Sequence, residues 1–176
     1  MLTKQFFNME KLIQSGVYTI NDGTNNVVIG KDIEGNDAIA AVVSDESDRI
    51  IRSVNFLRSS NCDIIVSSKD QAITSNSYAI DEEYDTGDAT VTDVNVTTSF
   101  QDGIFTIQGT CTITNEHVVP VEYKSAGLIG STVYWGEGYQ TTSEWLVCLG
   151  NFTTPITLEP NESAQIIIRE VISLNG

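Results

Sequence analysis

Residues 89–115 carry the feature that most constrains the fold, an alternation of polar and apolar side chains with a period of two. Successive side chains of a β-strand point to opposite faces, so this pattern is typical of strands with one buried and one solvent-facing side. The segment Gln101-Asp102-Gly103 interrupts the alternation, and Asp-Gly readily adopts the positive φ angles of a hairpin turn. The sequence therefore predicts a long antiparallel hairpin here, with Gly109 marking a bulge or a close neighbour.

Short runs rich in Val, Ile and Thr recur from Val17 onward, separated by turn residues. The other predicted strands are residues 18–20, 27–29, 38–43, 50–57, 63–66, 121–124, 128–129, 133–135, 145–149, 156–158 and 164–172. Many strands at this spacing, with one helix outside them, are typical of an all-β protein. The predicted fold class is an antiparallel β-sandwich or jelly roll with one short N-terminal helix.

A short amphipathic helix is predicted over residues 3–14, because apolar side chains recur there at three- and four-residue spacing. Thr3 is suited to cap its start and Gly16 to stop it. This pattern divides the chain into an N-terminal helical segment, residues 1–16, and a single β-sandwich domain, residues 17–176.

The predicted helix has two alternative roles, because a helix this short is marginal on its own. It either packs on its own domain or docks into a neighbouring subunit. Adjacent phenylalanines cannot both face one seam, which favours the second alternative slightly. The candidate assembly contacts are Phe6, Phe7, Met9 and Ile13.

With 176 residues, 40% of them hydrophobic, the chain is long enough to bury an ordinary core in one domain. No stretch approaches the ~20 apolar residues that a membrane-spanning helix needs. The first residues also lack the basic, apolar and small-residue order of a secretory signal. We therefore expect a soluble protein that is made in a cytosol and has no membrane partner.

The net charge of −15 is unevenly distributed along the chain. Residues 1–80 hold 7 basic and 10 acidic side chains, whereas residues 81–176 hold 2 basic and 14 acidic ones. Nucleic-acid binding depends on Lys and Arg that neutralise phosphates, so the sequence argues against direct contact with DNA or RNA. An acidic surface instead favours solubility.

Cys62, Cys111 and Cys148 are odd in number and widely spaced, which predicts buried free thiols rather than disulfides. A catalytic pair of Cys111 with His117 is one alternative, but no nucleophile motif surrounds either residue, and an exposed turn histidine is favoured. One histidine and unpaired cysteines also do not supply the usual zinc ligand sets. We expect no catalytic residues, no bound metal and no cofactor.

Two acidic stretches leave calcium binding open as an alternative to a solvated loop. One is the loop at 81–88, and the other comprises Asp45, Glu46 and Asp48. Neither has the ligand spacing and central Gly of a calcium loop, so the solvated loop is favoured.

An aromatic cluster surrounds the predicted turn Gly136-Glu137-Gly138 and has two interpretations. The tryptophans either anchor the core while the loop joins two strands, or the rings present a platform for sugar. The candidate recognition surface is Tyr134, Trp135, Tyr139 and Trp145.

The order of several segments along the chain resembles a loose group of small β-sandwich virion proteins of tailed bacteriophages. The segments are Met1-Leu2-Thr3-x-x-Phe6-Phe7-Asn8, Ser77-Tyr78-Ala79-Ile80-Asp81-Glu82, Gly109-Thr110-Cys111-Thr112-Ile113-Thr114-Asn115, Gly127-Leu128, Trp145-Leu146-Val147-Cys148 and Thr154-Pro155-Ile156-Thr157-Leu158-Glu159-Pro160-Asn161-Glu162-Ser163. In that group the middle segment commonly reads Glu-Ile-Gly-Leu and the last turn Pro-Gly-Glu-Ser. This chain has Ser125-Ala126 before Gly127, and it has Asn161, which tolerates positive φ, in place of the turn glycine.

The resemblance implies a non-enzymatic virion structural protein, made in the host bacterial cytoplasm. It would be head-associated, as a decoration or auxiliary capsid protein, or a neck, tail or fibre component. Its partners would be other virion proteins, with assembly as a homo-oligomer. The alternative function is a host-surface glycan-binding module of a phage particle, centred on the aromatic cluster.

Overall fold

The computed structural model describes residues 1–3, 6–8, 26–42, 62–80, 89–136 and 139–173, and strands dominate them. The all-β prediction is therefore confirmed. Residues 6–8 are helical. The strands are β1 Asn26–Lys31, β2 Asp37–Val42, β3 Cys62–Ser67, β4 Ala89–Gln101, β5 Ile104–Asn115, β6 Val121–Gly136, β7 Tyr139–Leu158 and β8 Ser163–Ser173.

Two three-stranded antiparallel sheets form the sandwich, one with the order β3-β6-β7 and the other with the order β4-β5-β8. Their inner faces meet at Gly109 on β5. A Cβ atom added there would lie 3.2 Å from Cδ1 of Ile64 on β3 and 3.5 Å from Cδ1 of Leu128 on β6. Strands β1 and β2 form a separate two-stranded sheet.

The predicted hairpin is confirmed as β4 and β5, in which Gln101 pairs with Ile104 across a two-residue turn. Asp102 and Gly103 both have positive φ, 52° and 75°, as a type I′ turn requires. The bulge lies on β4, where Asp93 has a φ of 55° and the register shifts, rather than at Gly109. Gly109 instead marks the close approach of the other sheet.

The strands predicted within residues 121–158 as separate short runs are wrong in length, because they merge into β6 and β7. Ser125, Gly127 and Gly150 lie within these two strands rather than in turns. At position 127, inside β6, glycine is required because a Cβ atom would stand only 2.9 Å from Cδ1 of Leu146 on β7. Pro155, which has no N–H to donate, is tolerated because β7 is an edge strand of its three-stranded sheet.

Residues 159–162 turn the chain between β7 and β8. Glu162 N–H donates to the Glu159 carbonyl at 2.9 Å, and Asn161 has a φ of 63°. A Pro at the second position and a positive φ at the third are features of a type II turn. Asn161 therefore fills the place of the glycine, as expected from its tolerance of this conformation.

β1 pairs with β2 through a turn in which the Asp32 carboxylate accepts the N–H groups of Glu34 and Asn36, at 3.0 and 2.7 Å. The predicted strands at 18–20 and 50–57 lie outside the described residues. Residues 68–80, which follow β3, contain no strand.

The N-terminal residues add a short strand-like segment to the outer edge of β7. Leu2 forms a β-bridge with Cys148, and Thr3 N–H donates to the Val147 carbonyl at 3.0 Å. Thr3 also caps the helical residues as predicted, because its Oγ1 accepts the Phe6 N–H at 3.4 Å. The described part of the N-terminal segment therefore packs on its own domain. The predicted boundary at residue 16 lies outside the described residues.

Candidate functional site

The aromatic recognition surface predicted around residues 134–145 is wrong at Trp145. This side chain is 0% exposed and belongs to the core between the two sheets, so it cannot contact a ligand at the surface. The interpretation of Trp145 as a core anchor is confirmed. Tyr134 and Trp135 lie on β6 and Tyr139 lies on β7, near the turn that joins these two strands. The structure does not describe their side chains.

Two of the predicted assembly contacts, Phe6 and Phe7, have different environments in the structure. Phe6 is 1% exposed and belongs to the core, so its assignment as an assembly contact is wrong. Phe7 is 51% exposed and packs edge-on against Phe6, with ring centroids 5.6 Å apart. Met9 and Ile13 lie outside the described residues.

The prediction of free thiols is confirmed, with Cys111 and Cys148 buried and Cys62 half-buried. Burial, with a smaller contribution from the Asp63 carboxylate, raises the pKa of Cys111 to about 11. A thiol in this environment stays protonated at neutral pH and is a poor nucleophile. His117 lies in the bend after β5 and is half-buried rather than exposed. These positions give no support to a Cys111–His117 catalytic pair.

The acidic stretches considered as calcium ligands, Asp45 to Asp48 and the loop at 81–88, lie outside the described residues. Within the ranges that the structure does describe, no three His, Cys, Asp or Glu side chains gather closely enough to hold a metal ion.

A cleft of about 640 Å³ opens beside β3 and β6. Its apolar lining includes Ile64 and Ile129, and three carboxylates, those of Glu34, Asp63 and Glu144, border it. Among the residues that the structure describes, these carboxylates form no metal-binding cluster. The described lining therefore supplies apolar contact and negative charge, and it contains no Ser, Thr, Cys, Lys or His side chain.

A broad surface forms the outer side of the β4-β5-β8 sheet. It consists of the outward residues of β5 (Ile104, Thr106, Gln108, Thr110, Thr112 and Thr114) and their register partners on β4 and β8. We call it the threonine face. The alternation that first predicted the hairpin is what places these side chains on one side, because the inward positions of β5 hold Ile107, Cys111 and Ile113 of the core.

The threonine face carries almost no charge. Six positions on each of three strands give 18 positions, of which ten hold Thr or Ser, four hold Asn or Gln, three hold Ile or Val, and one holds Arg169. The 18 positions include no acid, although the chain has 24 acidic residues. Acids lie at its border, where Thr92 Oγ1 donates to Asp93 on the β4 bulge and Thr90 Oγ1 donates to Glu116.

Three branched aliphatic side chains on the threonine face are exposed to solvent: Ile104, Ile167 and Val171. Ile167, near the centre of β8, is 58% exposed. Isolated exposed aliphatic residues are ordinary, and these three give an otherwise polar, charge-poor face apolar surface that a contact would bury.

The outer side of the other sheet is covered, which makes the threonine face distinctive. Ile129, Leu146 and Leu149 form a second buried cluster with Ile80 of the loop at 68–80, and the partly buried Ile65 and Ile73 pack against it. The loop is attached to the sheet, because Ser125 Oγ donates to the Lys69 carbonyl at 2.8 Å.

Part of the threonine face was predictable from the sequence. The polar positions of β5 alternate visibly with apolar ones, so one outward-facing row was predictable. The sequence did not show that β8 pairs with β5, because β8 follows almost 50 residues later. This pairing adds Ile167, Arg169 and Val171 to the same side of the sheet.

No family model, curated protein or solved structure matches this chain. In the part of the chain that the structure describes, no helix has the length and apolar character to span a bilayer.

Proposed function

We propose that this chain is a non-enzymatic structural protein of a tailed bacteriophage particle and that it works by assembly with other virion subunits. The observation that carries the assembly role is the threonine face, a broad surface without acids on an otherwise strongly acidic chain. The phage context rests on the resemblance of segments along the sequence to small β-sandwich virion proteins. A β-sandwich is the fold that this resemblance implies.

Within the particle, we assign the chain to the outside of the head, as a decoration or auxiliary capsid protein, with the neck or tail as the variant. Its net charge of −15 supports an outer position, because packaged DNA repels an acidic protein. Attachment through a charge-poor face would leave the acidic surfaces in contact with solvent.

Quantitative mass spectrometry of purified particles from the source that encodes this chain tests the proposal. A copy number near that of the major shell protein would support decoration of the head, and a small ring-like number would support a neck or tail position. An abundant host cytosolic protein, measured in the same sample, controls for carry-over. A signal no higher than that control would overturn the virion role.

A further inference from the structure

We propose that the threonine face is the site at which a second copy of this chain docks, sheet against sheet, in a symmetric pair. This inference rests on the proposed role in assembly and names the partner of the same surface. The partner is identified by charge, by area and by the arrangement of the few charged groups on and beside the face.

Charge limits which surfaces of two copies are able to meet. Two chains of net charge −15 repel each other, and the repulsion is strongest within the Debye length, about 8 Å at physiological ionic strength. Contact through an acid-lined surface would bring carboxylates inside that distance. Contact through the threonine face brings together positions without acids, so repulsion there is weak. A basic partner, in contrast, would be attracted to the acidic surfaces and would not select this face.

The area of the face is sufficient for a specific pair. Three strands about 4.8 Å apart and 11 residues long, at about 3.3 Å per residue, cover roughly 500 Å² of flat sheet on each copy. The pair would bury roughly 1,000 Å² in total, which reaches the size at which specific interfaces begin. Ile104, Ile167 and Val171 supply exposed apolar surface at positions distributed along the strands.

The charged groups are arranged to be self-complementary. Arg169 lies on the edge strand β8 and the Asp93 carboxylate lies at the opposite edge, on the β4 bulge. In a symmetric pair both copies use the same surface. A two-fold axis parallel to the strands then places β8 of one copy against β4 of the other. Each Arg169 then faces the partner's β4 at the level of Thr97, a short distance along the strand from the Asp93 bulge.

The test is the solution mass of the full chain, measured by sedimentation velocity over a range of protein concentrations. The expected result is a species of twice the 19.2 kDa chain mass. Ile167→Asp, which places an acid near the middle of β8 on this face, is expected to weaken association at least roughly tenfold. Val118→Asp is the matched control, because Val118 is a branched aliphatic residue that is 92% exposed in the connection between β5 and β6 and is not one of the 18 positions of the face. It should leave association unchanged.

A second variant, a melting measurement for every variant and a change in salt concentration separate loss of docking from loss of folding. Arg169→Glu should also weaken association, and thermal melting of each variant shows whether it remains folded. Raising the salt concentration should strengthen the wild-type pair, because salt screens the net repulsion. A wild-type chain that stays monomeric at every concentration would overturn the inference, as would a dimer that Ile167→Asp leaves intact.

The two proposals fail separately. A monomer that is abundant in particles would mean that the threonine face binds a different virion protein, which overturns the second-copy inference and leaves the virion role standing. A dimer that is absent from particles would overturn the virion role alone.

Discussion

Asn115 is a buried polar residue at the end of β5 whose side chain satisfies three backbone groups. Its Nδ2 donates to the carbonyls of Val119 and Leu158, both at 2.9 Å, and its Oδ1 accepts the N–H of His117 at 2.9 Å. A fully buried amide is stable only when it is hydrogen-bonded in this way. Asn115 therefore holds the bend after β5 against the end of β7.

Replacing Asn115 with Ala should destabilise the fold by about 2–4 kcal/mol, because buried backbone groups lose their partners. Urea unfolding measures the change. Asn76→Ala is the control, since Asn76 is exposed in the loop after β3, and we expect a change within about 0.5 kcal/mol. Equal effects of the two variants would contradict the role assigned to Asn115.

The three thiols make stability sensitive to alkaline pH. Burial, followed by the neighbouring carboxylate of Asp63 for Cys62 and of Glu170 for Cys148, raises the pKa of each of these thiols from 9.0 to about 12. Folding therefore favours the protonated thiol. This stabilisation is fully present below pH 9, and it is lost as the pH rises from 9 towards 12.

The measurement is the free energy of unfolding between pH 7.5 and 10.5, in the wild type and in Cys148→Ala. We expect the wild-type value to fall with pH, and removal of this thiol to reduce the slope by at most ~1.4 kcal/mol per pH unit. The other titrating groups are common to both proteins. An identical slope in the two proteins would show that Cys148 does not contribute.

Among the elements, the helical residues 6–8 offer a matched pair of neighbouring phenylalanines. Phe6 is buried in the core and Phe7 is half exposed. Phe6→Ala should destabilise the fold by about 3–5 kcal/mol through the cavity that it leaves. Phe7→Ala should cost about 1 kcal/mol or less, because it loses mainly its edge-on contact with the neighbouring ring.

Thermal melting compares these two variants, and sedimentation shows whether either alters association. A docking role for Phe6 would instead weaken association while leaving the melting temperature unchanged. That outcome would restore the interpretation of the helix as a tether to a neighbouring subunit.

The strands show which elements a sequence determines locally. The β4–β5 hairpin was predictable because strict alternation and an Asp-Gly turn act over neighbouring residues. The lengths of β6 and β7 were not predictable in this way. Gly127 resembles the end of a strand unless it is known that Leu146 packs against it from the neighbouring strand. Trp145 likewise has no local signal that separates core from surface, since both interpretations suit a tryptophan beside a turn.

At the scale of the whole molecule, the separation of the two sheets depends on Gly109. Gly109→Ala places a methyl group 3.2 Å from Cδ1 of Ile64 across the core, and we expect a loss of about 1–2 kcal/mol. Ile64→Val removes that Cδ1 atom. The Gly109→Ala change should therefore cost less in the Ile64→Val background, with a coupling energy of at least about 0.5 kcal/mol.

Thr110→Ala is the control for this cycle, because Thr110 is the next residue on β5 and faces outward. Its effect should add to that of Ile64→Val within about 0.5 kcal/mol in urea unfolding. Additive effects for Gly109→Ala as well would mean that the sheets accommodate the methyl group elsewhere.

The pairing of strands that are distant in the sequence could not be predicted. β8 joins β5 and β3 joins β6 across long intervening segments, so the pairing is decided by packing of complete sheets rather than by neighbouring residues. The charge of the chain was readable from composition, but the surface that lacks acids emerges only when three separate strands are aligned.

The bridge between Leu2 and Cys148 also sets an order of events during synthesis. A ribosome adding about 5–20 residues per second makes Cys148 roughly 7–30 s after Leu2. For that interval Leu2 and Phe6 have no β7 to pack against, although both end in the core. The newly made N-terminal segment is therefore accessible to chaperones and proteases until the last third of the chain has emerged, and its docking is among the final steps of folding.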